Sequence, residues 1–312
     1  MPYVFLLITS FLFGGNFVLG KFLVGHASPA TLTSLRWALA VICLLPIIWK
    51  REQRLIPPKA ALLPLFLMGL TGVAAFNLLQ FQALEYTSAS NVGLISTLNT
   101  ISIALFSFLL LKEKINSWQM AAMLLSFSGV LVVLTEGSLS QLLDLRFNKG
   151  DLYMMGAVCI WGLYSVCSRW AMQKTSPLMA TFFSGAIGVV LLLPFNAADF
   201  SITEFNVSFM VSILYTGVVS TVICMVLWNI GVQKLGATEA GLFLNFNPIF
   251  TAVLASVFLH EKWSWMQVIG SLVVILGCIL FTKLKKPPQL PLKKSAIVIN
   301  EEKSTNFVHG KK

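Results

Sequence analysis

Hydrogen-bonding side chains stand where an apolar sequence has no solvation reason to keep them. Asn16, Asn77, Gln80, Ser96, Asn99, Tyr164, Trp228, Asn229, Asn245 and Asn247 all fall inside hydrophobic runs. A carboxamide offers donors and acceptors on one group, so several of them around a cavity match a polar or zwitterionic solute. Asn77 and Gln80 are three apart, as are Ser96 and Asn99, so each pair shares a helix face. Taken singly, each residue reads as a bond between neighbouring helices. Taken as a set over the first, third, fourth, sixth, eighth and ninth runs, they read as the lining of a cavity.

Cations flank this set. Lys21 and Arg36 fall toward the ends of the first and second runs that face one side, and Arg169 toward the end of the sixth. They are expected to form cationic gates at the mouths of such a cavity, or to anchor the chain with their stems in lipid and their charges in water. Pro248 removes a backbone donor and frees a carbonyl inside the ninth run. With Gly14 and Gly162 it is a candidate hinge; close helix packing is the alternative use of the glycines. No Asp or Glu falls at the middle of a run, and Glu239 is the nearest carboxylate, so a buried proton relay has no support here.

Reactive constellations are missing. Residues 15–21 fit G-x-x-x-x-G-K, but Phe22 stands where the phosphate-binding motif needs Ser or Thr, and the stretch is apolar. His260-Glu261 begins a zinc-protease motif that Ser264 does not complete. No G-x-S-x-G elbow occurs. Cys43, Cys159, Cys167, Cys224 and Cys278 lie in apolar runs without a C-x-x-C pair and read as small buried residues. Neither a cofactor nor a metal is expected.

The elements that would hold these residues follow from composition. Hydrophobic residues make up 57% of the chain and charged residues 11%, against roughly 25% charged in a soluble domain. So few charges cannot cover a water-facing surface, and lipid must cover it. Apolar runs occur at about 4–24, 32–49, 62–83, 92–111, 118–134, 152–172, 178–195, 207–232, 240–259 and 265–280. Each approaches the roughly 20 residues that a transmembrane helix needs, and all are too long and continuous for barrel strands. The first run has no basic segment before it and no small-residue cleavage site, and reads as an uncleaved helix.

Basic residues set the expected orientation. Lys50, Arg51, Arg54 and Lys59 follow the second run, Lys112 and Lys114 the fourth, Arg169 and Lys174 the sixth, and Lys234 the eighth. All fall on one side, with the basic tail, so both termini are expected in the cytosol. The net charge of +10 is concentrated in that tail and reads as contact with anionic lipid headgroups, not nucleic acid.

The chain also repeats. At an offset of 148, Gly14 meets Gly162, Ser28-Pro29 meets Ser176-Pro177, and Pro46 meets Pro194. Ala89, Gly93, Leu94 and Asn99 meet Ala237, Gly241, Leu242 and Asn247, while Glu113, Gln119 and Gly129 meet Glu261, Gln267 and Gly277. Five helices per repeat is an odd number, so the second repeat must enter the membrane from the opposite face. Inverted repeats recur in secondary transporters, with the solute site between the halves.

These spaced residues resemble the EamA-type transporters of the drug/metabolite transporter superfamily over roughly 5–135 and 150–282. The second half carries the family's repeat pattern as Trp161-Gly162, Ser176-Pro177, Asn247-Pro248, Glu261, Gln267 and Gly277. The first half carries it as Phe13-Gly14, Ser28-Pro29, Asn99-Thr100, Glu113, Gln119 and Gly129, departing at Phe13 and Thr100. Arg36 also looks like a family feature. The resemblance implies a ten-helix fold with both ends in the cytosol, and export or exchange of small metabolites or amino acids.

The expectation is therefore an all-α membrane protein of ten transmembrane helices in two inverted five-helix repeats. The repeats span 4–135 and 151–282, joined by an outer linker at 136–150 and followed by a basic cytosolic tail at 283–312. Its partners are a small-molecule substrate and membrane lipids; no residue pattern bears on oligomeric state. The expected function is secondary transport by alternating access across a bacterial inner membrane. An intramembrane enzyme or a non-transporting receptor is the alternative.

Overall fold

The computed structural model describes residues 2–52, 56–112, 116–134, 148–198, 200–262 and 264–284. Most of the 136–150 linker, Glu113, Lys114 and nearly all of the basic tail lie outside the described residues. Within them the chain forms ten helical units. The first five are α1 (Pro2–Leu23), α2 (Pro29–Arg51), α3 (Lys59–Tyr86), α4 (Ala89–Leu111) and α5 (Ser117–Leu134). The second five are α6 (Lys149–Ala171), α7 (Pro177–Ala198), α8 (Val207–Leu235), α9 (Ala237–Phe258) and α10 (Trp265–Lys283). All but α5 and α10 are long and apolar enough to cross a membrane by themselves; α10 contributes a shorter apolar stretch, Trp265–Phe281. Large apolar side chains such as Ile42, Leu63, Leu109, Val190, Val253 and Leu272 point outward, and Trp49, Trp118 and Trp265 stand exposed near helix ends. That is the surface of a protein solvated by lipid, with indoles at the polar boundary.

The repeat pattern has local physical causes. Ser28 Oγ accepts from Thr31 N (3.3 Å) and starts α2; Ser176 Oγ accepts from Met179 N (3.2 Å) and starts α7. Each is followed by a proline, whose missing N–H costs nothing at a helix start. Asn116 and Gln119 cap α5 reciprocally, at 3.0 and 2.8 Å, and Ser264 and Gln267 cap α10 in the same way, at 3.1 Å each. The repeated glutamine is thus the far half of a capping box.

Four helices are irregular, in matched pairs. α3 turns π-helical over Gly69–Ala75 and α8 over Tyr215–Ile223. Side chains also bond carbonyls of the wider turns. Asn77 Nδ2 donates to Gly72 O and Val73 O (2.9 Å each), and Thr221 Oγ1 to Thr216 O (2.7 Å). α4 breaks into a 3-10 turn at Ser96–Leu98 and α9 at Leu244–Phe246. Pro248 follows the second break only. The first forms without a proline, where Ser96 and Thr97 hydroxyls donate to Gly93 O (2.6 Å) and Leu94 O (2.7 Å) and compete with the helix ladder.

Contacts between the halves are reciprocal. α1 crosses α9 at Gly14, which lies on Phe250 and Thr251; α6 crosses α4 at Gly162, which lies on Ser102 and Phe106. Neither glycine has room for a Cβ. Gly14 and Gly162, the candidate hinge glycines, both sit inside unbroken helices at close crossings, and the irregular backbone lies elsewhere. α5 and α10 pack together at the same register from both sides. Gly129 lies on Val274 and Gly277 on Ser126, with Ser126 Oγ donating to Val274 O (3.3 Å). Numbers rise along one helix as they fall along the other, so the pair is antiparallel.

Candidate functional site

A central cavity of about 30 Å³ (room for roughly one water) is lined from both halves. α1 supplies Phe13, Asn16 and Phe17; α2 supplies Arg36 and Trp37; α3 supplies Gly72, Phe76, Asn77 and Gln80. Asn99 comes from α4, Trp161 from α6, Met225 from α8, and Leu244 and Asn247 from α9. The irregular segments explain how polar groups reach this depth. Asn77 follows the π segment of α3, and Asn99 and Asn247 each begin the helix after a 3-10 break.

Of the amide, aromatic and hydroxyl candidates, Asn16, Asn77, Gln80, Asn99 and Asn247 line the cavity and the others do not. Asn229 ties three helices together: its Oδ1 accepts from Ser168 Oγ (2.8 Å) and Tyr164 Oη (3.3 Å), and its Nδ2 donates to Thr181 Oγ1 (2.9 Å). Tyr164 is spent in that knot and packs on Gly72. Thr100, at the position matching Pro248, donates to Asn245 Oδ1 (2.9 Å) or Gly241 O (2.7 Å), so Asn245 bridges α4 and α9. Ser96 serves the 3-10 turn. Trp228 lies behind Trp161, ring centroids 5.7 Å apart.

Arg36 is not a vestibule residue. Expected near a mouth, it lies in the cavity wall at 4% exposure, because α2 begins at Pro29 and carries it two turns inward. Its Nε (3.2 Å) and Nη2 (3.0 Å) donate to Thr221 Oγ1, and its Nη1 has no partner. Among the described residues it is the only ionisable side chain of the lining. The Oδ1 atoms of Asn16, Asn99 and Asn247, the Gln80 Nε2 and the Trp161 Nε1 are also buried without partners. An unsatisfied buried polar atom costs about 1–3 kcal/mol, and natural cores hold few. These unpartnered atoms are concentrated around one cavity.

The aromatic residues that line the cavity, among them Phe13, Phe76 and Trp161, are not the aromatic candidates Tyr164 and Trp228, although Phe13 and Trp161 are repeat positions. Trp161 is their hub: Phe13 meets it edge-on at 5.8 Å and 89°, Phe76 lies at 4.7 Å and Tyr164 at 4.9 Å. The site therefore offers an apolar aromatic wall facing amides and one guanidinium.

The two faces of the bundle differ. On the face carrying the α1–α2 turn, Lys21 Nζ donates to Leu84 O and to Thr87 O (3.0 Å), capping the end of α3. Glu261, beyond α9, accepts from Ala89 N (3.0 Å), Ser90 N (3.1 Å) and Ser90 Oγ at the start of α4. Asp151, buried in the first turn of α6, accepts from Thr87 Oγ1 (2.9 Å). Asn91 joins Thr87 (3.3 Å) to Gln267 (2.7 Å). The opposite face holds an open hollow of about 520 Å³ among Arg51, Glu52, Lys174 and Ser176. Arg169, matching Lys21, lies beside Gly236 at the end of α8 on that face. Among the described residues no group of three His, Cys, Asp or Glu side chains could hold a metal ion.

An all-helical, lipid-solvated bundle with a polar site between its halves is an integral, multi-pass membrane protein. A model of the EamA-like transporter family matches residues 1–135 and again 148–283, and the chain belongs to that family. It is 29% identical over 301 residues to the uncharacterized transporter YyaM of Bacillus subtilis, covering 95% of this chain and 98% of the relative. It is 27% identical over 283 residues to an uncharacterized transporter of Archaeoglobus fulgidus, covering 90% and 96%. A crystal structure at 21% identity superposes with a TM-score of 0.64 over 89% of this chain and 96% of the other, a likeness of fold. The family and these relatives indicate a transporter rather than an enzyme.

Proposed function

We propose that the chain is a secondary carrier that exports or exchanges a small amphipathic metabolite, an amino acid or related solute, by alternating access. Its repeats, 4–135 and 151–282, are inverted with respect to each other, linked outside by 136–150 and followed by a cytosolic tail at 283–312. Both termini lie on the cytosolic side of the inner membrane, which agrees with the basic residues after the second, fourth, sixth and eighth helices. The observation that carries the reading is the α5–α10 contact. Two equivalent helices that meet antiparallel in mirrored register, Gly129 on Val274 and Gly277 on Ser126, are what an axis in the membrane plane produces. Two halves so related can exchange conformations, and the exchange opens the cavity between them to the other side. The conformation described has the halves latched on the α1–α2 face through Asp151 and Glu261, and a cavity too small for a metabolite; loading requires the halves to part.

The test is flux. Protein in proteoliposomes, screened against labelled metabolites with and without a pH gradient, is expected to give saturable, solute-specific transport. Replacing Asn99 and Asn247 together by Leu is expected to reduce it without loss of expression. Reporter fusions at Ser28 and Ser176 should report opposite compartments; the same compartment for both would remove the inverted repeat and the mechanism with it.

A further inference from the structure

Arg36 burdens the fold in a way its protein contacts do not repay. The guanidinium is buried in the cavity wall, and taking a cation out of water is costly unless a counter-charge meets it. Among the described residues no carboxylate lines the cavity. The Cys224 thiol of α8 is no counter-charge, since it keeps its proton and donates it to Thr9 O (3.3 Å). Thr221 accepts from Nε and Nη2, but a neutral amide could make such a bond without burying a charge. Thr221 is itself fixed as an acceptor, because its hydroxyl hydrogen goes to Thr216 O across the π-helical turn of α8. That arrangement holds one edge of the guanidinium and leaves Nη1 with hydrogens to donate.

We infer that the solute carries a carboxylate and that Arg36 Nη1 is its counter-ion. The inference rests on the carrier reading for the cavity being a solute site, and it narrows the solute to an organic anion or zwitterion. Gln80 Nε2 adds a second unused donor, and the free amide oxygens of Asn16, Asn99 and Asn247 await a donor on the solute, an ammonium or a hydroxyl. Phe13, Phe76 and Trp161 form the wall for its apolar part. Thr221 is a positioning residue that acts through Arg36.

The experiment measures binding, so that it stands apart from flux. Purified full-length protein in chloride-free buffer is titrated with two matched probe sets, followed by indole fluorescence, since Trp37 and Trp161 line the cavity, and by melting temperature. One set is L-phenylalanine, 3-phenylpropanoate and 2-phenylethylamine; the other is L-leucine, 4-methylpentanoate and 3-methylbutylamine. Each set keeps one carbon skeleton and removes the amine or the carboxylate in turn. Carboxylate-bearing probes are expected to bind on the order of 100-fold more tightly than the amine of the same set. In Arg36→Gln that preference should vanish, while the unliganded variant melts higher than the wild type because a buried unpaired charge is gone. A merely structural arginine would instead lower the melting temperature and leave the probe preference intact. Arg36→Lys keeps the charge and should retain part of the preference. Amines binding as tightly as carboxylates to the wild type, or no carboxylate binding, overturns the assignment without recourse to any variant. Chloride or phosphate saturating the site more tightly than every organic carboxylate overturns it too. Carboxylate binding without flux counts against the carrier and leaves the counter-ion assignment standing.

Discussion

Glu261→Gln separates the latch on the α1–α2 face from the general stability of the bundle. One carboxylate beyond the end of α9 receives two backbone N–H groups and one hydroxyl at the start of α4, the N–H distances being 3.0 and 3.1 Å. The start of a helix has unpaired donors and a partial positive charge, so an anion there is favoured twice over. Glutamine keeps one acceptor oxygen and turns an NH2 group toward a donor. A hydrogen bond to a charged group is worth about 1.5–3 kcal/mol, and Glu261 is half-buried, so solvent trims the loss to about 2 kcal/mol. That corresponds to about 30-fold in the local opening equilibrium. Hydrogen exchange in nanodiscs, read on a peptide covering Ala89 and Ser90, should quicken by about that factor in the variant. Glu261→Asp, which keeps the charge on a shorter arm, should fall between. Exchange unchanged at these amides would refute the latch. Exchange quickened equally in α2 and α7, which make none of these bonds, would show general loosening instead.

Further outcomes follow from the same contacts. Asn229→Leu removes three side-chain bonds among α6, α7 and α8; at about 0.6 kcal/mol each in a bilayer, unfolding in bicelles should show a loss of about 2 kcal/mol with probe affinity unchanged. Pro248→Ala should leave the break in α9 in place, since α4 breaks without a proline, and stability should stay within about 1 kcal/mol of wild type. Gly129→Val and Gly277→Val each force apart the same α5–α10 contact from mirrored positions. Their losses of folded yield should match, and the double variant should lose less than the two added, because the first substitution has already opened the contact.

The helices and their ends were largely written locally. Apolar runs of membrane-spanning length, Ser-Pro starts and the Asn/Ser-x-x-Gln capping boxes each act over a few residues, so their sequence spacing carries their structure. The offset of 148 told which residues would play equivalent parts, down to the two 3-10 breaks, although Thr100 in place of Pro248 gave no sign that the first break would form. The π segments of α3 and α8 had no local signature, although a side chain, Asn77 or Thr221, bonds carbonyls one turn back in each.

What the sequence alone determined is a lipid-spanning chain duplicated in register, with a set of amides at depth. What only the tertiary structure decided is which of those amides face one another. In a soluble helix the apolar stripe marks the inside; in lipid the outside is apolar as well, so periodicity does not tell a cavity face from a bilayer face. Asn229 and Asn247 look alike in sequence, yet one is tied into a three-helix knot and the other is left free at the cavity. Arg36 could be read as an anchor until the crossing of α2 over α8 put its charge among neutral neighbours. Helix rotation and crossing, set by contacts between halves far apart in the chain, decided the site.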